Sequence, residues 1–476
     1  NALRAYSIYR LCDFGLLLAA LLIDLLLNGH NHFSELGDAL KVTVPPGGYI
    51  EFFGLSLLLI LAASGKSAQF PFCFWIPRAM EGPTPSSANF YGALSVHLGV
   101  FLLLRTQAIW GFEVASRLIV FLIGCLTIIV ASISEKAQSN IKGQIAYASI
   151  AQVGFMFVEL ALGLEYVVVT HFMGNAFLRC YQLLISPSVV SHLLRLEGDT
   201  DVAFDIRTTN IARSLPKTLQ TTLPETLQNT LLVISLQEFN LETGLRSLLW
   251  DPFRKLGQRV GKRPLMSVGL PLIILILLSL LMYQEGLPFH PTLAASAAFA
   301  MFFLSTLAFT QKRAALRTWN LVSLSSLLGG ITTWLSDDHS SFYVELFASG
   351  ILPAWILGLL CIKGMRAKSG PVIRKFTYQG MAEKSPKLAI GFFLAFLGMV
   401  GFPISPAFLG QDLILYHLSG EHAWLAPLVA ISLVLNGISV SGIFMRLCAG
   451  RPIESRQEFE SLAPRAPSLK TLNPPD

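Results

Sequence analysis

The chain has 476 residues, of which 53% are apolar and only 13% are charged, whereas a soluble domain carries roughly 25% charged residues. The mean hydropathy is +0.59, and together these figures exclude a water-soluble enzyme and a disordered or fibrous chain. The formal net charge of +6 comes from basic residues set in short clusters between apolar runs, so it reports membrane orientation and not nucleic-acid binding.

A helix needs about 20 mostly apolar residues to cross a bilayer. Runs of that kind lie near 8–28, 50–76, 86–105, 113–133, 143–163, 166–190, 265–283, 290–310, 318–336, 341–363, 388–416 and 422–447. The predicted fold class is therefore all-α: a polytopic transmembrane bundle of about 12 spans. The first run is a full-length span with polar flanks, so no cleavable leader is expected. Alternate loops are basic, with Lys136 and Lys142 in one, Arg254 through Arg263 in the next, and Lys312, Arg313 and Arg317 in another. The even count puts both ends on the cytoplasmic side of a plasma or inner membrane. Cys12, Cys73, Cys125, Cys180, Cys361 and Cys448 lie in or beside apolar runs, where a thiol acts as a small hydrophobe and not as part of a disulfide framework.

Five segments follow from this pattern: a first membrane part at 1–191, a polar or amphipathic connector at 192–264, further spans at 265–380, a second membrane part at 381–450, and an irregular proline-rich tail at 451–476. The centre of the connector has leucines among Thr, Gln, Arg and Glu. It reads equally as an interfacial helix, a partner-docking segment or a solvated connector.

Ionisable groups inside spans are costly and raise a functional expectation. Lys66 follows a dozen apolar residues, and Pro71 and Pro77 come just after it, so the helix is expected to break past the lysine. Two readings of Lys66 stand: a buried proton carrier beside a broken helix, or a lysine snorkelling to the interface. His171, Asn175 and Arg179 recur at i, i+4 and i+8 on one helical face. Histidine suits proton relay, or it is a hydrogen-bonded core residue. Lys142 opens a span, and His97 lies within the third; both are relay candidates. Asp13, Asp24 and Glu345 are candidate carboxylates, with interfacial placement as the alternative for Asp13 and Glu345. A second interruption falls at Pro403 and Pro406, with Gln411 and Asp412 as its polar groups. Two such breaks suggest an inverted internal repeat. The sequence has no phosphate-binding glycine loop, no Cys/His metal spacing and no cofactor fingerprint, so no cofactor, metal or bond chemistry is expected of the chain itself.

The stretch GKSAQFPFCFWIPRAMEGPTPSSANFYGALSVHLGVFLLLR at 65–105 resembles the broken-helix signature of the antiporter-like membrane subunits of respiratory complex I. Mrp-type sodium/proton antiporters and the membrane partner of a two-component inorganic-carbon pump share it. NIKGQIAYASIAQVGFMF, THFMGNAFLRCYQLL, GFPISPAFLGQDLIL and RLCDFGLLL resemble further signatures of that family. The resemblance implies proton conduction along buried lysines and histidines, with Lys66 as the lysine of the first broken helix, Lys142 as the bridge and His171 as the first histidine of an HxxxH stripe. Asn175 stands where the second histidine is usual, Arg179 where lysine is usual, Tyr91 at a common histidine position, and Gln411 in place of the second lysine. The chain begins at what resembles the family's sixth helix, so the helices with the glutamate partner of Lys66 are absent from it, as in a truncated sequence or a split gene.

The expected function is a proton-translocating subunit of a complex I-like or Mrp-like assembly, with other membrane subunits and soluble subunits as partners and the redox chemistry, where there is any, on soluble ones. Two alternatives stand beside it: the membrane subunit of a proton-driven inorganic-carbon uptake complex with a soluble zinc partner, and a non-conducting structural subunit.

Overall fold

The computed structural model describes residues 2–26, 49–80, 82–138, 140–186, 225–262, 289–311, 315–336, 341–369, 379–418 and 423–450. Every regular element among them is a helix. The run at 265–283 and the tail at 451–476 lie outside the described residues. The chain divides into two compact units, Asn1–Phe253 and Arg254–Asp476.

In the first unit, α1 (Ala2–Leu26) packs against α2 (Tyr49–Lys66). After α2 the backbone turns through Ala68, whose φ is +50°, and resumes as the short α3 (Trp75–Ala79). The span α4 (Thr84–Arg105) is wound unevenly. It has a π-helical stretch at Ala88–Leu94 and a 3-10 turn at Ser95–His97, the kind of irregularity often found where a helix presents a functional side chain. Helices α5 (Val114–Ala137) and α6 (Ile141–Ala161) pack along their lengths. The inward face of α5 is made of small residues, Ser116, Gly124, Thr127, Ala131 and Ser134. Leu118, Leu122, Leu126 and Ile129 point outward. That distribution fits a bilayer, where lipid is as apolar as leucine and close backbone approach holds helices together. Helix α7 (Glu165–Ile185) completes the layer, packing on α6 and on the π-helical part of α4.

The same unit includes part of the polar connector. Helix α8 (Glu225–Leu236) leads through a 3-10 turn at Glu238–Asn240 into a further turn of helix at Leu241–Leu245. Phe239, Leu241 and Leu245 pack on the unit's apolar core, which includes Phe74, Trp75, Tyr147 and Val153. Leu241 and Leu245 of the connector therefore pack on the unit's own core, whereas Leu236 and Leu248 are exposed.

In the second unit, α9 (Phe289–Thr310), α10 (Ala315–Ser336) and α11 (Ser341–Ser369) pack with α12 (Pro386–Val400), α13 (Pro406–His417) and α14 (Ala426–Cys448). The break between α12 and α13 turns at Gly401, with φ +70°, a left-handed conformation that glycine adopts without a Cβ penalty.

Six described helices are long and apolar enough to cross a membrane: Thr84–Arg105, Val114–Ala137, Ile141–Ala161, Leu293–Thr310, Phe342–Lys368 and Ala426–Cys448. The chain is a multi-pass membrane protein.

Candidate functional site

Lys66 is the last residue of α2, so its ammonium leaves the helix where the backbone turns away. Its Nζ donates to Asp13 Oδ1 of α1 at 2.7 Å and stands 4.5 Å from the centre of the Tyr9 ring. Asp13 and Tyr9 are four apart on α1 and so share a face. The lysine side chain is 22% exposed and the carboxylate 35%, which leaves the pair partly hydrated. The surroundings are tied together by hydrogen bonds. Tyr9 Oη lies 2.7 Å from Ser95 Oγ of α4. Trp75 Nε1 of α3 donates to the carbonyl of Gly65 at 3.0 Å, and the Gly99 amide donates to Ser67 Oγ at 3.1 Å. The Trp75 ring meets the Tyr9 ring edge-on at 4.8 Å. The Tyr91 ring lies 6.1 Å from Trp75 on another edge.

A second polar chain runs between α4 and α7. His97 is fully buried and presents Nε2 to Asn175 Nδ2 at 3.0 Å. Asn175 Oδ1 accepts from Arg179 Nε at 3.2 Å, and Arg179 donates also to Gln182 Oε1 at 2.7 Å. His171 belongs to a different cluster. Its Nδ1 is 2.9 Å from Glu159 Oε1 and its Nε2 is 2.9 Å from Gln152 Oε1, both on α6. Lys142, in the first turn of α6, donates to the carbonyl of Gly82 at 3.0 Å.

Thus His97, Asn175 and Arg179 come together, while Lys66, His171 and Lys142 each have other partners among the described residues. Glu159 and Gln152 were not singled out from the sequence. Their spacing of seven puts them on one face of α6, which is the signal that could have found them.

In the second unit, Pro403 lies in the break and Pro406 begins α13, where its missing N–H costs nothing. Gln411 lines a cleft with Gly401, Ser326, Phe347, Met399 and Asn436. Asn436 is buried. Its amide nitrogen donates to Ser325 and Ser326 hydroxyls at 3.0 and 3.4 Å, and its Oδ1 has no hydrogen-bond partner among the described residues. Asp412 is exposed.

Residues 2–202 match the family described as "NADH:quinone oxidoreductase/Mrp antiporter, TM". That segment is similar to the family's antiporter-type membrane module, and the match covers less than half of the chain. The chain is similar to NAD(P)H-quinone oxidoreductase chain 5 of Synechocystis, 33% identical over 241 residues, covering 50% of this chain and 34% of that protein. It is similar also to NAD(P)H-quinone oxidoreductase subunit 5 of Paulinella chromatophora, 32% identical over 209 residues, covering 43% and 31%. A probable inorganic carbon transporter subunit, DabB2, of Halothiobacillus neapolitanus is 38% identical over 136 residues, covering 29% and 24%. The chain thus spans between 24% and 34% of the length of these relatives. Among solved structures, the Mrp complex from Dietzia matches 83% of this chain and 58% of that one, at 17% identity and a TM-score of 0.39.

Proposed function

We propose that the chain is a proton-translocating membrane subunit of a multisubunit assembly of the complex I or Mrp type. The observation that carries this reading is the Lys66–Asp13 pair at 2.7 Å, at the end of a helix that breaks inside the membrane module. An amine paired with a carboxylate is neutral overall as an ion pair, and its net charge changes by one when a proton enters or leaves the pair. Lys66 takes and releases that proton, and the half-exposed carboxylate is its point of exchange with water. Asp13 is the acidic partner of Lys66 within this chain. Lys142 is the bridge, and His171 with Glu159, together with His97 and Arg179, continues the polar path. Gln411 and Asp412 mark the second broken helix. The partners are other membrane subunits and soluble subunits, and the site is the plasma or inner membrane with both ends of this chain cytoplasmic.

The test is proton flux in proteoliposomes containing the assembled complex. Lys66→Ala is expected to abolish flux while insertion stays intact. Unchanged flux rules the role out.

A second reading has a specific observation in its favour: the 38% identity with the Halothiobacillus inorganic-carbon subunit. Under it the same proton flow drives bicarbonate uptake with a soluble zinc partner. Affinity capture through residues 225–262 discriminates, since recovery of a zinc protein without redox subunits favours it. A non-conducting structural role is motivated by Tyr91, Asn175 and Gln411, and is identified by the absence of any pH-gradient response.

A further inference from the structure

Glu238 and Glu242 of the connector segment 225–245 are carboxylates that the proposed proton path does not use. Glu242 places one oxygen 2.9 Å from Arg4 Nε of α1 and the other on Arg78 NH1 of α3. Glu238 Oε2 accepts from the other terminal nitrogen of Arg78 at 2.6 Å. One glutamate therefore joins two elements that are far apart in sequence, and a second holds the same arginine from the side. The backbone at Glu238, Phe239 and Asn240 has φ of 52°, 56° and 53°. Three successive non-glycine residues hold this left-handed conformation only where the surroundings over-determine it. Here they are determined by the two arginines on one side and the buried contacts of Phe239, Leu241 and Leu245 on the other.

The two elements joined by Glu242 are the ones that surround Lys66. Helix α1 supplies Tyr9 and Asp13, the ring and carboxylate on the lysine. Helix α3 supplies Trp75, which holds the carbonyl of the residue before the lysine and stacks edge-on against Tyr9. We infer that Glu242, steadied by Glu238, is a positioning residue that sets α1 against α3 and so fixes the geometry of the Lys66–Asp13 pair. The contact path is continuous: Glu242 to Arg78, along α3 to Trp75, from Trp75 to Gly65 and Lys66, with the return through Arg4 and α1 to Asp13. Charge-assisted hydrogen bonds of this forked kind fix orientation as well as distance. The role deepens the reading of Lys66 as the proton carrier and rests on it for its effect on flux, but not for its effect on geometry.

Cys12 provides a reporter in the chain itself. It is fully buried, and a Cβ on Gly65 would meet its sulfur at 1.8 Å, so a reagent reaches it only when α1 parts from the end of α2. The experiment is time-resolved modification of the full chain in lipid nanodiscs by N-ethylmaleimide, mapped by mass spectrometry, for wild type, Glu242→Gln, Glu242→Asp and Arg4→Gln. Charge-assisted hydrogen bonds of this type stabilise enough that losing one opens the local contact about tenfold more often. Cys12 is therefore expected to react about tenfold faster in Glu242→Gln, and faster also in Arg4→Gln, which cuts only the α1 arm at an exposed residue. Glu242→Asp restores part of the protection. Cys361 and Cys448, in the second unit, keep their wild-type rates. Unchanged Cys12 reactivity in both the Gln variants overturns the inference. So does an Asp variant that behaves as the Gln variant, or a parallel rise at all six cysteines, which marks general loosening and not positioning. Altered Cys12 reactivity with unaltered flux leaves the geometric role standing and removes Lys66 from the proton path.

Discussion

Asn175 Nδ2 lies 3.0 Å from His97 Nε2, and the carbonyl end of the same amide accepts from Arg179 at 3.2 Å. The arginine has only donors to offer, so it fixes which end of the amide faces it. The other end, the NH₂, must then face the imidazole, and His97 presents a bare Nε2. The ring is thereby assigned a single tautomer by its neighbours.

An amide in this position orients the histidine but passes no proton, because it has no accessible charged form near neutral pH. Asn175→His replaces it by a group that titrates. Proton flux through the assembled complex is expected to rise several-fold in this variant, whereas Asn175→Ala, which removes the orienting bond and adds no carrier, leaves it unchanged or lower. Equal flux in all three proteins places the route elsewhere.

The Lys66–Asp13 pair makes a different demand. Removing the lysine leaves a partly exposed carboxylate without its cation, and removing both charges leaves neither. Lys66→Ala is expected to destabilise the detergent-solubilised protein by about 1 kcal/mol, modest because both side chains are partly exposed. Lys66→Ala with Asp13→Asn should recover most of that loss. A double-mutant cycle by thermal unfolding measures the coupling, and additive losses would show that the two groups do not interact in solution.

The connector offers a pH dependence of defined sign. Burial raises the Glu238 carboxyl above its ordinary 4.5, against the lowering influence of the Arg78 guanidinium. Arg78 of α3, Tyr147 of α6, Cys73 between α2 and α3, and Glu242 of its own segment face it. A raised folded-state value means that the docked segment binds the proton more tightly than the free one. Its contribution is full below 4.5 and is lost as the pH rises through the folded value. Protection of residues 225–245 from limited proteolysis is therefore expected to be greater at mildly acidic than at neutral pH. Glu238→Gln, which mimics the protonated form, should flatten that dependence. A steeper loss of protection on acidification would reverse the sign and refute the assignment.

How far the sequence carries can be followed through Lys66 and Asp13. Composition and run length suffice for a helical membrane protein, because a bilayer leaves the backbone few options. Prolines at 71, 77, 403 and 406 suffice to expect two interruptions, because proline in a helix interior removes a backbone hydrogen bond and is tolerated only in the first turn. The pairing of Lys66 with Asp13 is less legible: the two are 53 residues apart, and only the crossing of α1 and α2 brings them together. The polar face His171–Asn175–Arg179 is legible as spacing, yet its members divide between two clusters, since partners on α4 and α6 decide where each side chain bonds. The connector was the least legible. Its leucines and acids fit lipid, partner and solvent equally well, and what sorts them is the position of Arg4 and Arg78.

The turn at the second break gives the last prediction. Gly401 has φ +70°, and a Cβ there would meet Gln411 Oε1 at 2.7 Å. Gly401→Ala therefore combines a left-handed backbone at a residue with a side chain, which costs about 1–2 kcal/mol, with displacement of Gln411 from the cleft. The midpoint of thermal unfolding should fall accordingly, while Gln411→Ala alone, with no Cβ at 401 to clash with, costs less. Combining the two substitutions separates the terms: the backbone strain persists in the double variant and the steric part disappears. Gln411→Lys is expected to be tolerated, because the unpartnered Asn436 Oδ1 on the cleft wall can accept from the new ammonium. A Gln411→Lys protein that unfolds well below the wild-type midpoint would show that the cleft does not accommodate the charge.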